Sequence, residues 1–212
     1  MDELDLFKEK WQSREQELPK LSYTEIYKML LKKSSSIVKW IFIISILELL
    51  FWVGLALIMP ESQMQLMEDM GLKNFAIWSN VIHIAIVFVF IYSFYKNYRT
   101  IQVTDSTKKL MQNILKTRKT VRYFVYYNIG MFLLSSIIMI VFYYLNIDQL
   151  YEVLNMSDQG IAREYFQTAF ILIQIAVVVI FVGVLMLFYY LIYGILLRRL
   201  KQNYGELKRM EV

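Results

Sequence analysis

Hydrophobic and polar positions are distributed unevenly along the chain. Most hydrophobic residues fall in four long apolar blocks, and charged stretches separate these blocks. Each block exceeds the roughly 20 residues that an α-helix needs to cross a hydrocarbon core about 30 Å thick. The pattern therefore predicts an all-α, polytopic membrane protein built as a four-transmembrane-helix bundle. The predicted spans are residues 37–59, 74–95, 121–145 and 165–197.

The segment before the first span, residues 1–36, predicts a cytoplasmic amphipathic helical arm. Within it, Leu4, Phe7 and Trp11 share one helical face, and charged residues occupy the other positions. Such an apolar stripe packs on the protein's own helices, lies on the lipid surface or binds a partner. We therefore take these three residues as candidates for binding a cytosolic protein.

Two helix-start signals predict that helices continue beyond the membrane-spanning segments. Ser22 and Glu25 have the spacing of a capping box, which predicts a helix that runs toward the first span. Residues 104–106 offer an N-cap ahead of the third span. We thus expect cytoplasmic helical extensions below a bundle over residues 37–197, with a basic cytoplasmic tail over residues 198–212.

Lysine and arginine positions predict the orientation of the chain. Basic residues crowd the first segment, the segment between spans two and three, and the tail. The other two loops hold one basic residue each, Lys73 and Arg163, among many acidic ones. By the positive-inside rule, both termini are expected in the cytoplasm, where the basic face meets anionic lipid headgroups.

Composition narrows the chemistry further. The chain is 58% hydrophobic, carries a net charge of +5, and has no cysteine and one histidine, His83. The lack of cysteine excludes disulfides, thiolate metal sites and cysteine nucleophiles. The basic residues lie beside the spans and lack the aromatic interleaving of single-strand nucleic-acid binders. We expect no metal site, no cofactor and no nucleic-acid partner.

Polar residues inside the apolar blocks suggest an intramembrane layer. Glu48 lies at the middle of the first span, where a charged residue costs about 2.5–3.5 kcal/mol. Other polar residues lie at a similar depth when residues are counted from the outer end of each span. The predicted layer comprises Glu48, Asn80, His83, Ser135, Ser136 and Gln174. We expect Glu48 to face the bundle and to reach His83 directly or through one water. The layer is either an ion or proton relay or a set of structural hydrogen bonds between helices, and both interpretations stay open.

A resemblance rests on residues 6–11 (LFKEKW), 33–40 (KSSSIVKW), 106–111 (STKKLM) and 115–120 (LKTRKT). With these segments the whole chain resembles an uncharacterised group of small four-span proteins of flavobacterial type. The resemblance implies a bacterial inner membrane. Proteins of this group are sometimes labelled beta-carotene monooxygenase. The residues do not support that label, because carotenoid oxygenases hold iron with four histidines in a β-propeller.

No set of residues in the sequence forms a recognisable active site, so we assign no catalytic residue. We expect a non-enzymatic integral membrane protein that serves as an interaction or regulatory scaffold component, with its N-terminal arm holding a cytosolic protein at the membrane. The alternative is a small transporter or channel that uses the polar layer around Glu48 and His83. An intramembrane enzyme is a third hypothesis, and a homo-oligomer is compatible with each.

Overall fold

The computed structural model describes residues 22–58, 60–104 and 106–210, and in these ranges it contains helices and no strand. The helices are α1 (Tyr23–Leu57), α2 (Glu61–Asp69), α3 (Lys73–Gln102), α4 (Thr107–Leu145), α5 (Ile147–Val153), α6 (Arg163–Tyr189), a π-helical turn (Tyr190–Gly194) and α7 (Ile195–Met210). Helix α6, the π turn and α7 form one continuous rod. This rod and α1, α3 and α4 are long and apolar enough to cross a membrane, which confirms the predicted all-α fold with four spans.

All four long helices continue past the predicted spans at one end of the bundle. The segments 23–36, 96–102, 107–120 and 198–210 pack together there, and we call them the basic stalk. The two ends of the described chain therefore lie at the same end of the molecule. Of the predicted arm, residues 23–36 belong to α1 and run into the first span without a break. The candidate residues Leu4, Phe7 and Trp11 lie outside the described residues.

The predicted helix starts are present in the stalk. The Ser22 hydroxyl accepts a hydrogen bond from the Glu25 amide at 3.3 Å, and the Glu25 carboxylate accepts one from the Ser22 amide at 2.7 Å, which confirms the capping box. Because the Ser22 amide and hydroxyl both donate to this carboxylate, the pKa of Glu25 lies below its usual value. At the start of α4, the Ser106 hydroxyl accepts from the Lys109 amide at 3.4 Å.

A seam of buried residues joins the stalk to the membrane part of the bundle. On α4 the buried positions alternate at intervals of three and four residues, from Thr107 through Ile114 to Phe124. On α1 the same kind of spacing runs from Leu30 to Glu48. An average interval near 3.5 residues is the repeat of left-handed coiled-coil packing. Because this repeat passes from the stalk into the predicted spans, the two parts form one packed unit.

Polar pairs inside the seam restrict how the helices align. The Asn203 side-chain amide donates to the Ser34 hydroxyl at 3.0 Å and joins α7 to α1. The Tyr27 hydroxyl donates to the carbonyl oxygen of Thr104 at 2.7 Å and joins α1 to the turn after α3. A slip along the seam would leave such buried groups unpaired, so these pairs favour one register.

The opposite end of the bundle is closed by a small cap made of α2, α5 and their turns. Its buried side chains are Met70, Leu72, Tyr143, Ile147, Leu150 and Phe166. The Gln149 side chain donates to the carbonyl oxygen of Asp69 at 2.8 Å and ties α5 to α2. Arg163 pairs with Asp148, and this guanidinium lowers the pKa of the Asp148 carboxyl. The cap therefore ties together the two loops that carry most of the acidic residues in the described ranges.

Between the seam and the cap lies a section that the bundle does not fill, which we call the hollow section. Helix α1 has no buried residue over 49–58, and α3 has none over 73–86. The same holds for α4 over 125–142 and for the rod over 167–184. The four helices therefore pack tightly on the stalk side of Glu48, which we call below it. They pack only loosely on the cap side, which we call above it.

Candidate functional site

Two adjoining cavities occupy the hollow section. One has a volume of about 380 Å³ and lies mainly between α3, α4 and α6. The other has a volume of about 330 Å³ and lies between α1, α3 and α4. Both are lined by Trp52, Asn80, His83 and Asn128. Because these four residues line both cavities, we treat the two cavities as one candidate site.

Glu48 lies at the point where the seam ends and the hollow section begins. It is 8% exposed, and it lines the smaller cavity. Its Oε1 accepts a hydrogen bond from the Tyr189 hydroxyl at 2.5 Å, and its Oε2 accepts one from the Tyr193 hydroxyl at 3.0 Å. We call these three residues the Glu48 clasp. The clasp connects the first span to the fourth and supplies the partners that a carboxyl group needs inside a membrane.

The two tyrosines of the clasp lie where α6 passes into the π-helical turn. Tyr189 is the last residue of α6 and Tyr193 lies within the turn, and Leu185, Tyr189 and Tyr193 are buried at two successive intervals of four residues. A π turn contains more residues per turn than an α-helix, so it accommodates a longer interval on one face. Such turns occur frequently at functional sites. Here the turn is located at the one buried carboxyl of the described bundle.

His83 has a tyrosine, Tyr127, as its hydrogen-bond partner instead of Glu48. Its Nδ1 is 3.3 Å from the Tyr127 hydroxyl, and the two rings stack with centroids 5.7 Å apart. Sequence reasoning predicted Glu48 as the partner of His83, directly or through one water. In the structure both line the smaller cavity, but each has its own tyrosine hydrogen bond.

The remaining residues of the predicted layer divide into two groups. Asn80 and Ser135 line the larger cavity, together with His83. Ser136 instead donates to the backbone carbonyl of Phe132 at 2.8 Å and lines neither cavity. Gln174 precedes Tyr189 by fifteen residues on α6, which is about 22 Å along the axis, so the structure does not bring it to Glu48.

The count of residues from the span ends does not give the depth of Gln174, because the fourth span is much longer than the first. Helix α6 starts at Arg163, and Tyr189 is its last residue. Equal counts from the outer ends of helices of unequal length therefore correspond to different levels in the bundle. Glu48 meets the rod at Tyr189 instead.

Sequence reasoning missed Trp52, Asn128 and Tyr127, and it also missed the two tyrosines of the clasp, Tyr189 and Tyr193. The clasp tyrosines lie near the basic end of the fourth span, where tyrosine is common at the headgroup level, so their position alone did not single them out. The signal that would have identified them is their spacing of four residues, which places both on one helical face. Tyr190, by contrast, is 66% exposed.

The site is polar at a few points and aromatic along much of its wall. Glu48 is the only acidic or basic side chain (Asp, Glu, Lys or Arg) that lines either cavity among the described residues. Phe181 contacts Trp52 at a centroid distance of 6.1 Å and Phe132 at 4.9 Å, so three rings from three helices form one row. In the described part of the chain, no three metal-ligating side chains come together in a group that would hold a metal ion.

The clasp generates a stability prediction. Tyr189→Phe should lower the free energy of unfolding by about 1–3 kcal/mol, because it leaves a buried carboxyl oxygen without its donor. Tyr190→Phe is the matched control, because the neighbouring hydroxyl is on an exposed ring. Unfolding of the purified protein in detergent, followed by tryptophan fluorescence, measures both. Equal stability of the two variants would show that the clasp contributes nothing.

Comparison with known proteins adds a family but no activity. Neither a curated protein nor a solved structure matches the chain. One family model matches residues 24–212, which comprise all four spans, the basic stalk and the cap. The chain therefore belongs to the family described as "Domain of unknown function (DUF8845)".

Proposed function

We propose that this protein is a non-enzymatic integral membrane protein that holds a small molecule in its hollow section and carries it as a small transporter does. The observation that carries this proposal is the pair of adjoining cavities that end at a buried carboxyl. Their volumes fall in the range of about 300–1,000 Å³ that is typical of ligand sites. Convergent polar groups in a largely apolar wall are also typical of such sites.

The packing around the cavities supports a carrier rather than an open channel. Below the clasp, Phe124 contacts the rings of Phe94 at 5.4 Å and Tyr193 at 5.8 Å, and all three are fully buried. These rings close the bundle toward the basic stalk. On the other side, the smaller cavity reaches Leu57 and Ile77, which are exposed on the apolar surface between α1 and α3. The candidate site is therefore closed toward the stalk and open at the apolar surface. A carrier closes its site toward one face of the membrane in each of its two states.

Our proposal includes the orientation and the membrane. The basic stalk lies in the cytoplasm of a bacterium, against the anionic headgroups of the inner membrane, and the acidic cap lies outside. The concentration of lysine and arginine at the stalk end, against one basic residue in each loop at the cap end, supports this orientation.

Reporter fusions test the orientation. Fusions made after residue 66 and after residue 155 should be active only outside the cytoplasm, and a fusion at the C-terminus should be active only inside. A pair of reporters, one active in each compartment, measures all three. A C-terminal fusion that is active outside would contradict the orientation.

Access of water to the hollow section tests the proposed function. The native chain has no cysteine, so one introduced cysteine is the only reactive thiol. We expect the Ser135→Cys thiol to react with N-ethylmaleimide at least about tenfold faster than the Ser136→Cys thiol, because thiols react as thiolates, which need a hydrated polar site. The two positions are adjacent on α4, but only Ser135 lines a cavity. Equal rates would refute a ligand site in the hollow section.

A scaffold that binds a cytosolic protein is the second candidate function. The observation that favours it is the basic stalk, which extends α4 by about 20 Å from Thr107 to the start of its predicted span at residue 121. A stalk of this length presents charged helix faces beyond the headgroups. In this proposal, the arm with Leu4, Phe7 and Trp11 adds the apolar contact.

Affinity capture tests the scaffold proposal. The full chain should retain a specific cytosolic protein, and a chain lacking residues 1–21 should retain at least about tenfold less of it. The comparison depends on equal amounts of both chains in the membrane, which immunoblotting measures. Identical captured proteins from the two chains would exclude a role for the arm.

A further inference from the structure

Glu48 is the one acidic side chain of the hollow section among the described residues, so a negative charge there can come only from its carboxylate. Two tyrosine hydroxyls donate to Glu48, which is how a carboxylate is held in apolar surroundings. No lysine or arginine lines either cavity among the described residues, so the walls supply no counter-charge. A carboxylate has about four acceptor positions, and the two tyrosines use only two. Glu48 can therefore still contact a group inside the cavity that it lines.

The walls beside Glu48 favour one kind of molecule. The row of Trp52, Phe181 and Phe132 lines the larger cavity, and Trp52 also lines the smaller cavity together with Glu48. Aromatic faces attract cations, tryptophan most strongly, with about 0.5–2 kcal/mol for each favourable contact. The aromatic row and the carboxylate thus select for the same property in a ligand, a positive charge on an apolar body.

We propose that the hollow section binds an organic monocation with a large apolar body, whose charge lies near Glu48 and whose body packs against the aromatic row. This proposal rests on the proposed function, because it names the class of molecule that the site holds. Anionic amphiphiles such as fatty acids are rejected, because their charge would meet Glu48 in a medium where like charges repel strongly. The opening at Leu57 and Ile77 gives such a cation a path from the apolar part of the membrane.

A pair of probes with one shape and opposite charge tests the proposal on the full chain. Tetraphenylphosphonium is the cation, and tetraphenylborate is an anion of nearly the same size. Both are applied to purified Ser135→Cys protein in lipid nanodiscs. Tetraphenylphosphonium should slow the reaction of this thiol with N-ethylmaleimide at least about tenfold, and tetraphenylborate should leave it unchanged. Because Glu48 is native in this comparison, the result does not depend on whether a Glu48 variant folds.

A second comparison assigns the charge to Glu48. Glu48→Gln keeps the shape of the side chain and removes its charge, so it should reduce the binding of tetraphenylphosphonium at least about tenfold. Glu61→Gln is the control, because Glu61 is an exposed carboxyl on α2 that lines neither cavity. It should change binding less than about twofold. Gel filtration and an unchanged reaction of the Ser135→Cys thiol confirm that the Gln variant is folded.

The outcomes separate the two proposals. Protection by tetraphenylborate equal to that by tetraphenylphosphonium, or full binding of the cation by folded Glu48→Gln, would overturn the assignment to an organic cation and leave the cavity proposal standing. A Ser135→Cys thiol that reacts no faster than the Ser136→Cys thiol would overturn the proposed function itself. Protection by the cation alone, lost in Glu48→Gln, supports both.

Discussion

The burial of one carboxyl group among apolar helices is the constraint around which this bundle is arranged. A carboxyl at this depth costs about 2.5–3.5 kcal/mol unless it finds partners, and lipid offers none. Glu48 finds both of its partners on the fourth span, in Tyr189 and Tyr193. Their spacing of four residues places the two hydroxyls on the same side of that span. The first and fourth spans are therefore joined at one level, and the packing of the bundle changes character there.

Below that level the bundle resembles a soluble coiled coil. Its buried positions repeat every three or four residues, its core side chains are fully enclosed, and polar pairs such as Asn203 and Ser34 favour one register. Above that level the helices diverge around two cavities, and only the small cap closes their far ends. A rigid lower half and a loosely packed upper half suit a protein that must admit a ligand from one side. Local packing density sets which regions open at low cost, so any rearrangement should begin in the hollow section.

The chemistry of the site follows from what lines it. Amides, hydroxyls and one imidazole surround a single carboxyl, and aromatic rings form the neighbouring wall. Such a set has no recognisable nucleophile with its base and no group of metal ligands among the described residues. Hydrogen bonds, apolar contact and one charge are sufficient for selective binding, which is why we propose a carrier of a charged apolar molecule. In our proposal the basic stalk contributes at the other end, where it would meet the headgroups and the cytosol.

The sequence by itself determined the class of fold, the number of spans and the start of α1 at its capping box. These features depend on the spacing of apolar residues, on hydropathy and on the spacing of capping residues, and all three can be read from short stretches of sequence. It also identified Glu48, because a carboxyl inside an apolar block stands out without any structure. The identity of its partners depended on tertiary structure. Tyr189 and Tyr193 follow Glu48 by 141 and 145 positions in the sequence, so they meet it only when the first and fourth spans pack together. Counting from helix ends placed Gln174 at the level of Glu48, but helix length and packing decide depth, and they brought Tyr189 there instead. The hollow section likewise could not be read from the sequence, because a cavity is space left between helices and belongs to no single one of them.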